Sequence, residues 1–232
     1  MPAADGDATR ALLIRTALGL MAEHGIEGVE LRRIQLDAGQ RNRSAIAYHF
    51  GDRDGLVRAI GETYRAPINA ARNLVLDRLE QHGNLTVDTL VDAIVGPLAA
   101  SLATRDGRNY LILLAEAASR VGTDALYRAE RAHTESMIRL EQHLSPLLGG
   151  SRQQRRRAIG RAILITPVLL ADLARDVNRG EATVATARRQ IGPISALVAN
   201  TLAVKESARH DPPAAHHDFH APSPPDDRPD QS

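Results

Sequence analysis

Apolar residues recur every three or four positions along most of this chain, which is the spacing of one face of an α-helix. Short turn signals, HGN, TRDGR, VGTD and PLLGGS, interrupt this pattern between residues 82 and 151. Alternation typical of strands and hairpin dipeptides are absent, so the sequence predicts an all-α fold. The expected longer helices cover 10–25, 53–64, 68–79, 87–103, 109–121, 125–144, 152–178 and 181–205.

A short apolar pattern follows the first of these helices. Leu31, Ile34 and Leu36 form a stripe that predicts a helix of about two turns. Ala38 and Gly39 come directly afterwards and are typical of a tight corner. The chain is therefore expected to reverse direction at this point.

A second short helix is predicted after the corner. Asn42 or Ser44 can cap its start, and it runs to Tyr48. Asp52 then stands at an N-cap position, and the helical repeat begins again at Arg53. Two short helices joined by a tight turn form a helix-turn-helix pattern.

Together with the helix over 10–25, the order AG corner, short helix, tyrosine, HF, arginine and leucine resembles the DNA-binding domain of TetR-family transcriptional regulators. The resemblance covers residues 1–60 and departs from the common pattern in three places. One extra residue lies between Gly39 and His49, Gln35 replaces a small alanine, and Ala47 replaces the usual tyrosine. The resemblance implies that Arg43 and Ser44 enter the major groove, while Tyr48, His49 and Arg53 hold phosphates.

Basic and polar side chains are concentrated around this motif. Arginine supplies both charge for phosphates and a planar, bidentate group for guanine. Because the net charge of the whole chain is only +1, DNA contact must come from such a local surface. The candidate DNA-binding residues are Arg32, Arg33, Arg41, Asn42, Arg43, Ser44, Tyr48, His49 and Arg53.

Beyond the motif the helical pattern continues without a recognisable signature, and the resemblance implies a divergent ligand-binding and dimerisation domain. We therefore expect a helix-turn-helix domain over 1–52, a larger helical domain over 53–206 and a disordered tail over 207–232. Pro67 is expected to break or kink the connector between the first two. Polar or soft side chains among the central helices can line a cavity for a small-molecule effector: Tyr110, Glu116, Arg120, Tyr127, His133 and Met137.

The last two long helices carry many large aliphatic residues. Two such helices from each of two subunits can form a four-helix interface, although the same residues can also close the core of one chain. The candidate interface residues are Ile163, Leu170, Ile194, Leu197 and Val198.

Composition and missing motifs limit the remaining function classes. The chain has no cysteine, which excludes disulfides, thiolate zinc sites and cysteine nucleophiles. No long apolar segment or recognised catalytic motif is present, so we expect a cytoplasmic, non-enzymatic protein with no cofactor, metal or membrane partner. The sequence predicts a homodimeric regulator, a repressor in the leading interpretation, bound to an operator in double-stranded DNA. The alternative is an all-α enzyme or small-molecule-binding module in which the N-terminal domain serves assembly.

Overall fold

The computed structural model describes residues 2–42, 44–133 and 135–203. These residues form an all-α structure without strands. None of the described helices is long and apolar enough to cross a membrane. In chain order the helices are α1 (Pro2–His24), α2 (Leu31–Asp37), α3 (Ala45–Phe50), α4 (Arg53–Gln81), α5 (Val87–Ala99) with a 3₁₀ extension (Ala100–Ala103), α6 (Arg105–His133), α7 (Glu135–Leu147), α8 (Arg152–Arg179), α9 (Val184–Arg189) and α10 (Ile191–Ala203).

Helix α6 is the centre of the packing. Its most extensive partner is α8, and it also contacts α1, α4 and α7. Helix α10 packs on α5 and α8, while α5 also packs on α4. Fully buried aliphatic side chains such as Leu76, Leu90, Leu111 and Leu170 fill the space between these helices. Burial of apolar area therefore holds the bundle together.

Several predicted helix ends are confirmed. Gly25 follows α1 with a φ of 83°, a conformation that glycine adopts without steric strain. Asp52 caps α4, since its Oδ1 accepts a hydrogen bond from the Gly55 N–H at 2.8 Å. Ser151 and Gln154 form a reciprocal capping box at the start of α8.

Other boundaries differ from the prediction. Helix α1 begins at Pro2 and not after Thr9, and α6 runs through the predicted VGTD turn. The expected helix over 181–205 is instead divided into α9 and α10, and Pro193 lies in the first turn of α10, where its missing N–H costs little. The tail over 207–232 lies outside the described residues.

Helix α4 continues through Pro67, so the predicted break is wrong. Proline has no N–H to donate to the carbonyl four residues earlier, which belongs to Thr63. Pro67 and Thr63 are both exposed, so water can reach this carbonyl. Buried residues on both sides of the proline, including Ile60, Ile68 and Leu76, hold the helix against its neighbours.

Candidate functional site

A tight turn joins α2 to α3. Gly39 takes a φ of 66°, and its N–H donates to the Leu36 carbonyl at 2.9 Å. The Gln40 N–H donates to the Gln35 carbonyl, also at 2.9 Å. A surface concavity of about 390 Å³ lies at this turn, lined by Arg32, Gln35, Leu36, Gly39, Gln40 and Arg41. The turn therefore brings Arg32 and Arg41, which are far apart in the sequence of the motif, to one concave surface.

The inner side of this motif is apolar and its outer side is polar. Ile34, Ala45 and Ile46 are buried against the rest of the chain. Leu36, which the sequence placed in the apolar stripe with Leu31, is 62% exposed, and Gln35 is buried in its place. The predicted stripe therefore holds for Leu31 and Ile34 and is wrong for Leu36.

Most of the candidate DNA-binding residues that the structure describes lie at the surface. Arg32, Arg41, Ser44 and Tyr48 are exposed, Tyr48 to 80%. The ring of Tyr48 meets the half-buried ring of His49 edge to face, with centroids 4.9 Å apart. Arg43, the expected base-reading residue, lies outside the described residues.

Three further candidates are engaged within the chain. The Asn42 side chain accepts from the Ser44 N–H at 2.9 Å and so stabilises the start of α3. Arg33 pairs with Asp37 one turn later, Nε to Oδ2 at 2.7 Å. Arg53 is half-buried, and its Nη1 donates to the Ile26 carbonyl at 2.5 Å. Arg53 thus anchors the start of α4 to the loop after α1, a role that the sequence did not predict.

The same loop is held from the other side by α6. The Glu116 carboxylate accepts a hydrogen bond from the Ile26 N–H, with distances of 3.1 and 3.2 Å to its two oxygens. Arg120 bridges Glu116 at 2.7 Å and Glu27 at 3.0 Å. Arg53 lies 3.6 Å from the other Glu27 oxygen. We call these five residues, Ile26, Glu27, Arg53, Glu116 and Arg120, the α1–α6 junction.

A small cavity lies between the central helices. Its volume is about 40 Å³, and it is lined by Arg65, Ile68, Asn69, Arg72, Ile94, Leu98, Tyr110, Leu114, Met137, Ile163, Thr166 and Pro167. A surface groove of about 470 Å³ between α4 and α6 shares Arg65, Asn69, Tyr110 and Leu114 with it. The groove and the cavity therefore lie next to each other.

The predicted ligand residues are therefore divided. Tyr110 and Met137 line the cavity. Glu116 and Arg120 do not, because they belong to the α1–α6 junction. The side chain of Tyr127 and that of His133 lie outside the described residues, although both residues belong to α6.

Arg72 is the main polar residue of the cavity that sequence reasoning missed. Only 6% of it is exposed, and it donates to the Ala93 carbonyl at 3.2 Å, to Asn69 Oδ1 at 2.8 Å and to Ser136 Oγ at 3.3 Å. A signal was present, since Arg72 continues the four-residue spacing of the buried α4 residues Ile60, Ile68 and Leu76. An arginine at such a position is buried and needs polar partners.

A second set of contacts joins the cavity to α1. The rings of Tyr110 and Tyr64 stack with centroids 5.4 Å apart. The Tyr64 hydroxyl donates to Asp106 Oδ2 at 3.4 Å, and Asp106 pairs with Arg15 of α1 at 3.3 Å. Burial, reinforced by the negative charge of Asp106, raises the pKa of Tyr64 from its ordinary value of 10.0 to about 12. Tyr64 therefore remains a neutral hydrogen-bond donor at physiological pH.

The candidate interface residues are mostly internal. Ile163, Leu170, Ile194 and Val198 are buried in the core of the single chain, so their side chains cannot meet a second subunit. Leu197 is the exception and is 46% exposed. The five candidate residues therefore do not form one exposed surface on the single chain.

Part of the outer surface of α8 and α10 is apolar, although exposed Asp172 lies one turn after Val168 on α8. Val168 of α8 is 40% exposed and has half-buried Leu164 and Ile165 on the same side of the helix. Helix α10 contains no charged residue, and Pro193, Ala196, Leu197 and Asn200 form its exposed side. We call these residues of the two helices, Leu164, Ile165, Val168, Pro193, Ala196, Leu197 and Asn200, the α8–α10 face.

Comparison with known proteins supplies no family for this arrangement. No protein-family model matches the chain, and no curated protein is similar enough to it to count as a match.

Proposed function

We propose that this protein is a sequence-specific DNA-binding transcriptional regulator, a repressor, that acts in the cytoplasm as a homodimer. The observation that carries this proposal is the surface around the α2–α3 turn, where Arg32 and Arg41 line one concavity, and Ser44 and Tyr48 are exposed at the start and in the middle of the helix that follows. Guanidinium and hydroxyl groups are the donors that bind phosphates and base edges. A short helix such as α3 fits the major groove when its polar side faces outward.

Dimerisation follows from the α8–α10 face. An uncharged helix side with exposed leucine and proline is costly to leave in water, and a second copy of the same face would cover it. Two copies related by a two-fold axis present two α3 helices, which suits a pseudo-palindromic operator. Linked binding of two half-sites then supplies the affinity that one half-site lacks.

Effector control follows from the cavity and its contacts. A small molecule beside Tyr110 would press on Tyr64, and through Asp106 on Arg15 of α1. It releases DNA only if it binds better to the conformation in which the two α3 helices no longer match the operator. The stacked tyrosines and Asp106 connect the cavity lining to α1.

A small-molecule-binding module without DNA activity is the second candidate, and the same cavity favours it. The two candidates differ in one measurement. Fragmented genomic DNA is incubated with the purified full chain, and bound fragments are sequenced and footprinted. A regulator enriches a shared two-fold sequence, whereas a binding module enriches none and would overturn the proposal.

The surface at the turn can be tested with one arginine pair. Arg41→Ala should weaken binding to operator and random DNA alike and lower the slope of log affinity against log salt by about 0.9, the value for one lost phosphate contact. Arg78→Ala is the control, because it removes the same charge from the far end of α4, about 37 Å along the helix from Arg53. It should change neither the DNA affinity nor the salt slope. Filter binding between 50 and 200 mM salt gives both slopes, and equal slopes for the two variants would remove Arg41 from the interface.

A further inference from the structure

The hydrogen bond between Arg53 and Ile26 lies at the base of the α2–α3 motif, residues 31–50. Arg53 Nη1 donates to the Ile26 carbonyl at 2.5 Å. Ile26 lies in the loop that leads into α2, and Arg53 begins α4 soon after α3 ends at Phe50. This bond therefore ties together the two ends of the segment 27–52, which contains the whole motif.

Helix α6 holds Ile26 from the other side. The Ile26 N–H donates to the Glu116 carboxylate, at 3.1 and 3.2 Å to its two oxygens. Because Ile26 is only 6% exposed, both of its backbone polar groups are shielded from water and need these partners. Arg53 and Glu116 therefore fix the base of the motif relative to α4 and α6 at one residue.

Arg53 lacks the features that favour a phosphate contact. Only 24% of its side chain is exposed, and its Nε lies 3.6 Å from Glu27 Oε2. A guanidinium group that already faces a carboxylate gains less from a phosphate, because part of its charge is compensated. Arg32 and Arg41 differ in both respects, since they are exposed and line a concavity whose described lining residues include no acidic one.

We propose that Arg53 and Glu116 are positioning residues for DNA binding. Through Ile26 they hold the α2–α3 motif in the orientation that meets the operator, and neither of them touches a phosphate. This inference deepens the proposed function and rests on it. It replaces the phosphate contact that the sequence led us to expect for Arg53, and it leaves phosphate contacts to residues at the turn such as Arg41.

Salt dependence separates a positioning residue from a phosphate contact. The slope of log affinity against log salt reports the number of phosphates that the protein neutralises, at about 0.9 for each in double-stranded DNA. Loss of a positioning residue lowers the affinity at every salt concentration and leaves this slope unchanged. Loss of a residue that only stabilises the fold changes neither quantity as long as the chain is folded.

The first test uses Arg53. The full chain and its variants are titrated with the operator recovered by the genomic selection, between about 50 and 200 mM salt. Arg53→Met should lower operator affinity about tenfold, as expected for one lost hydrogen bond, and keep the parental slope. Arg41→Ala is the comparison, and its slope should fall by about 0.9.

Arg53→Gln gives a second measurement of the slope. This variant also lacks the positive charge, so it decides the question if Arg53→Met fails to fold. Its slope should equal that of the parent. A slope lowered by about 0.9 in either Arg53 variant, or parental operator affinity in Arg53→Met, overturns the proposal.

The second test uses Glu116, for which charge and position predict opposite results. Removal of a carboxylate reduces repulsion from DNA, so by charge alone Glu116→Ala would bind the operator at least as tightly as the parent. We expect instead about tenfold weaker binding at an unchanged slope. Glu116→Gln keeps an oxygen acceptor for the Ile26 N–H and should retain most of the parental affinity. Glu23→Ala on the exposed side of α1 is the charge control and should not weaken binding.

The outcomes are separable from the proposed function. Circular dichroism in the binding buffer verifies that each variant is folded. Parental operator affinity in Glu116→Ala, or an equal loss in Glu116→Gln, overturns the positioning role while the parent still binds its operator. A parent chain that enriches no sequence overturns the regulator, and this inference with it.

Discussion

At the scale of single residues, two contacts of the α1–α6 junction contribute unequally to the free energy of unfolding. One is the Arg120–Glu27 ion pair, and the other is the hydrogen bond from the Ile26 N–H to Glu116. Arg120 and Glu27 are largely exposed, and such ion pairs contribute about 1 kcal/mol or less. Glu116 instead satisfies the backbone N–H of Ile26, a residue that is only 6% exposed. Loss of that acceptor leaves a shielded donor without its partner, which is the larger effect.

We therefore expect Glu116→Ala to lower the free energy of unfolding by about 1 to 3 kcal/mol. Urea denaturation followed by circular dichroism measures this free energy for the variant and the parent. Glu23→Ala on the exposed side of α1 is the control and should stay within about 0.5 kcal/mol of the parent. A Glu116 variant as stable as this control would show that the Ile26 N–H finds water instead.

Tyr64 makes stability depend on pH in the alkaline range. Its pKa is higher in the folded chain than in the unfolded one, so folding favours the neutral phenol. That contribution is complete below pH 10 and is lost as the pH rises toward 12. Urea denaturation at pH 9 and 11.5 should show a smaller pH-dependent loss for Tyr64→Phe than for the parent.

Exposed Tyr48 supplies a control for the loss of a phenol hydroxyl. Tyr48→Phe changes a side chain that is 80% exposed, so its free energy of unfolding should stay within about 0.5 kcal/mol of the parent's at both pH values. If Tyr64→Phe loses as much stability as the parent, another group is responsible for the alkaline transition.

At the scale of helices, the sequence predicted the helix ends that depend on contacts between residues close together in the chain. Asp52 and Gly25 act within a few residues of their partners, so their roles could be derived from sequence. Glu116 meets Ile26 across 90 positions, and no single-sequence pattern reports such a contact. The VGTD prediction failed for a related reason, since a glycine inside a helix costs only about 1 kcal/mol and a helix with extensive packing tolerates it.

Pro67 gives a prediction at this scale. Pro67→Ala restores the N–H that can donate to the Thr63 carbonyl, and the exposed site leaves no cavity behind. The free energy of unfolding should rise by about 1 to 3 kcal/mol, as measured by urea denaturation. Pro167→Ala, which changes a buried proline of the cavity, should not stabilise. An unchanged or less stable Pro67→Ala protein would mean that α4 is shaped around the proline ring.

At the scale of the whole molecule, the proposed dimer depends on the α8–α10 face. Leu197→Glu should raise the dimer dissociation constant by about 100-fold or more, because a carboxylate in that interface would lose its hydration without a partner. Operator affinity should fall with it. Sedimentation velocity and operator titration measure the two effects.

Leu74→Glu is the matched control for the dimer. Leu74 is also an exposed leucine, at 59%, but it lies on α4. This variant should sediment as the parent does. A Leu197→Glu protein that is still dimeric would require a different interface, and a monomer with parental operator affinity would contradict binding by two linked subunits.

The α1–α6 junction also determines whether the N-terminal helices can be transferred to another protein. A carboxylate from α6 completes the loop after α1, so residues 1–52 do not contain all the groups that their own fold requires. Fused to an unrelated helical body, the segment would carry its motif but lack the acceptor for the Ile26 N–H. A functional chimaera would therefore need the Glu116 and Arg120 side chains in addition to residues 1–52. The smallest segment that can be exchanged between proteins thus includes α6.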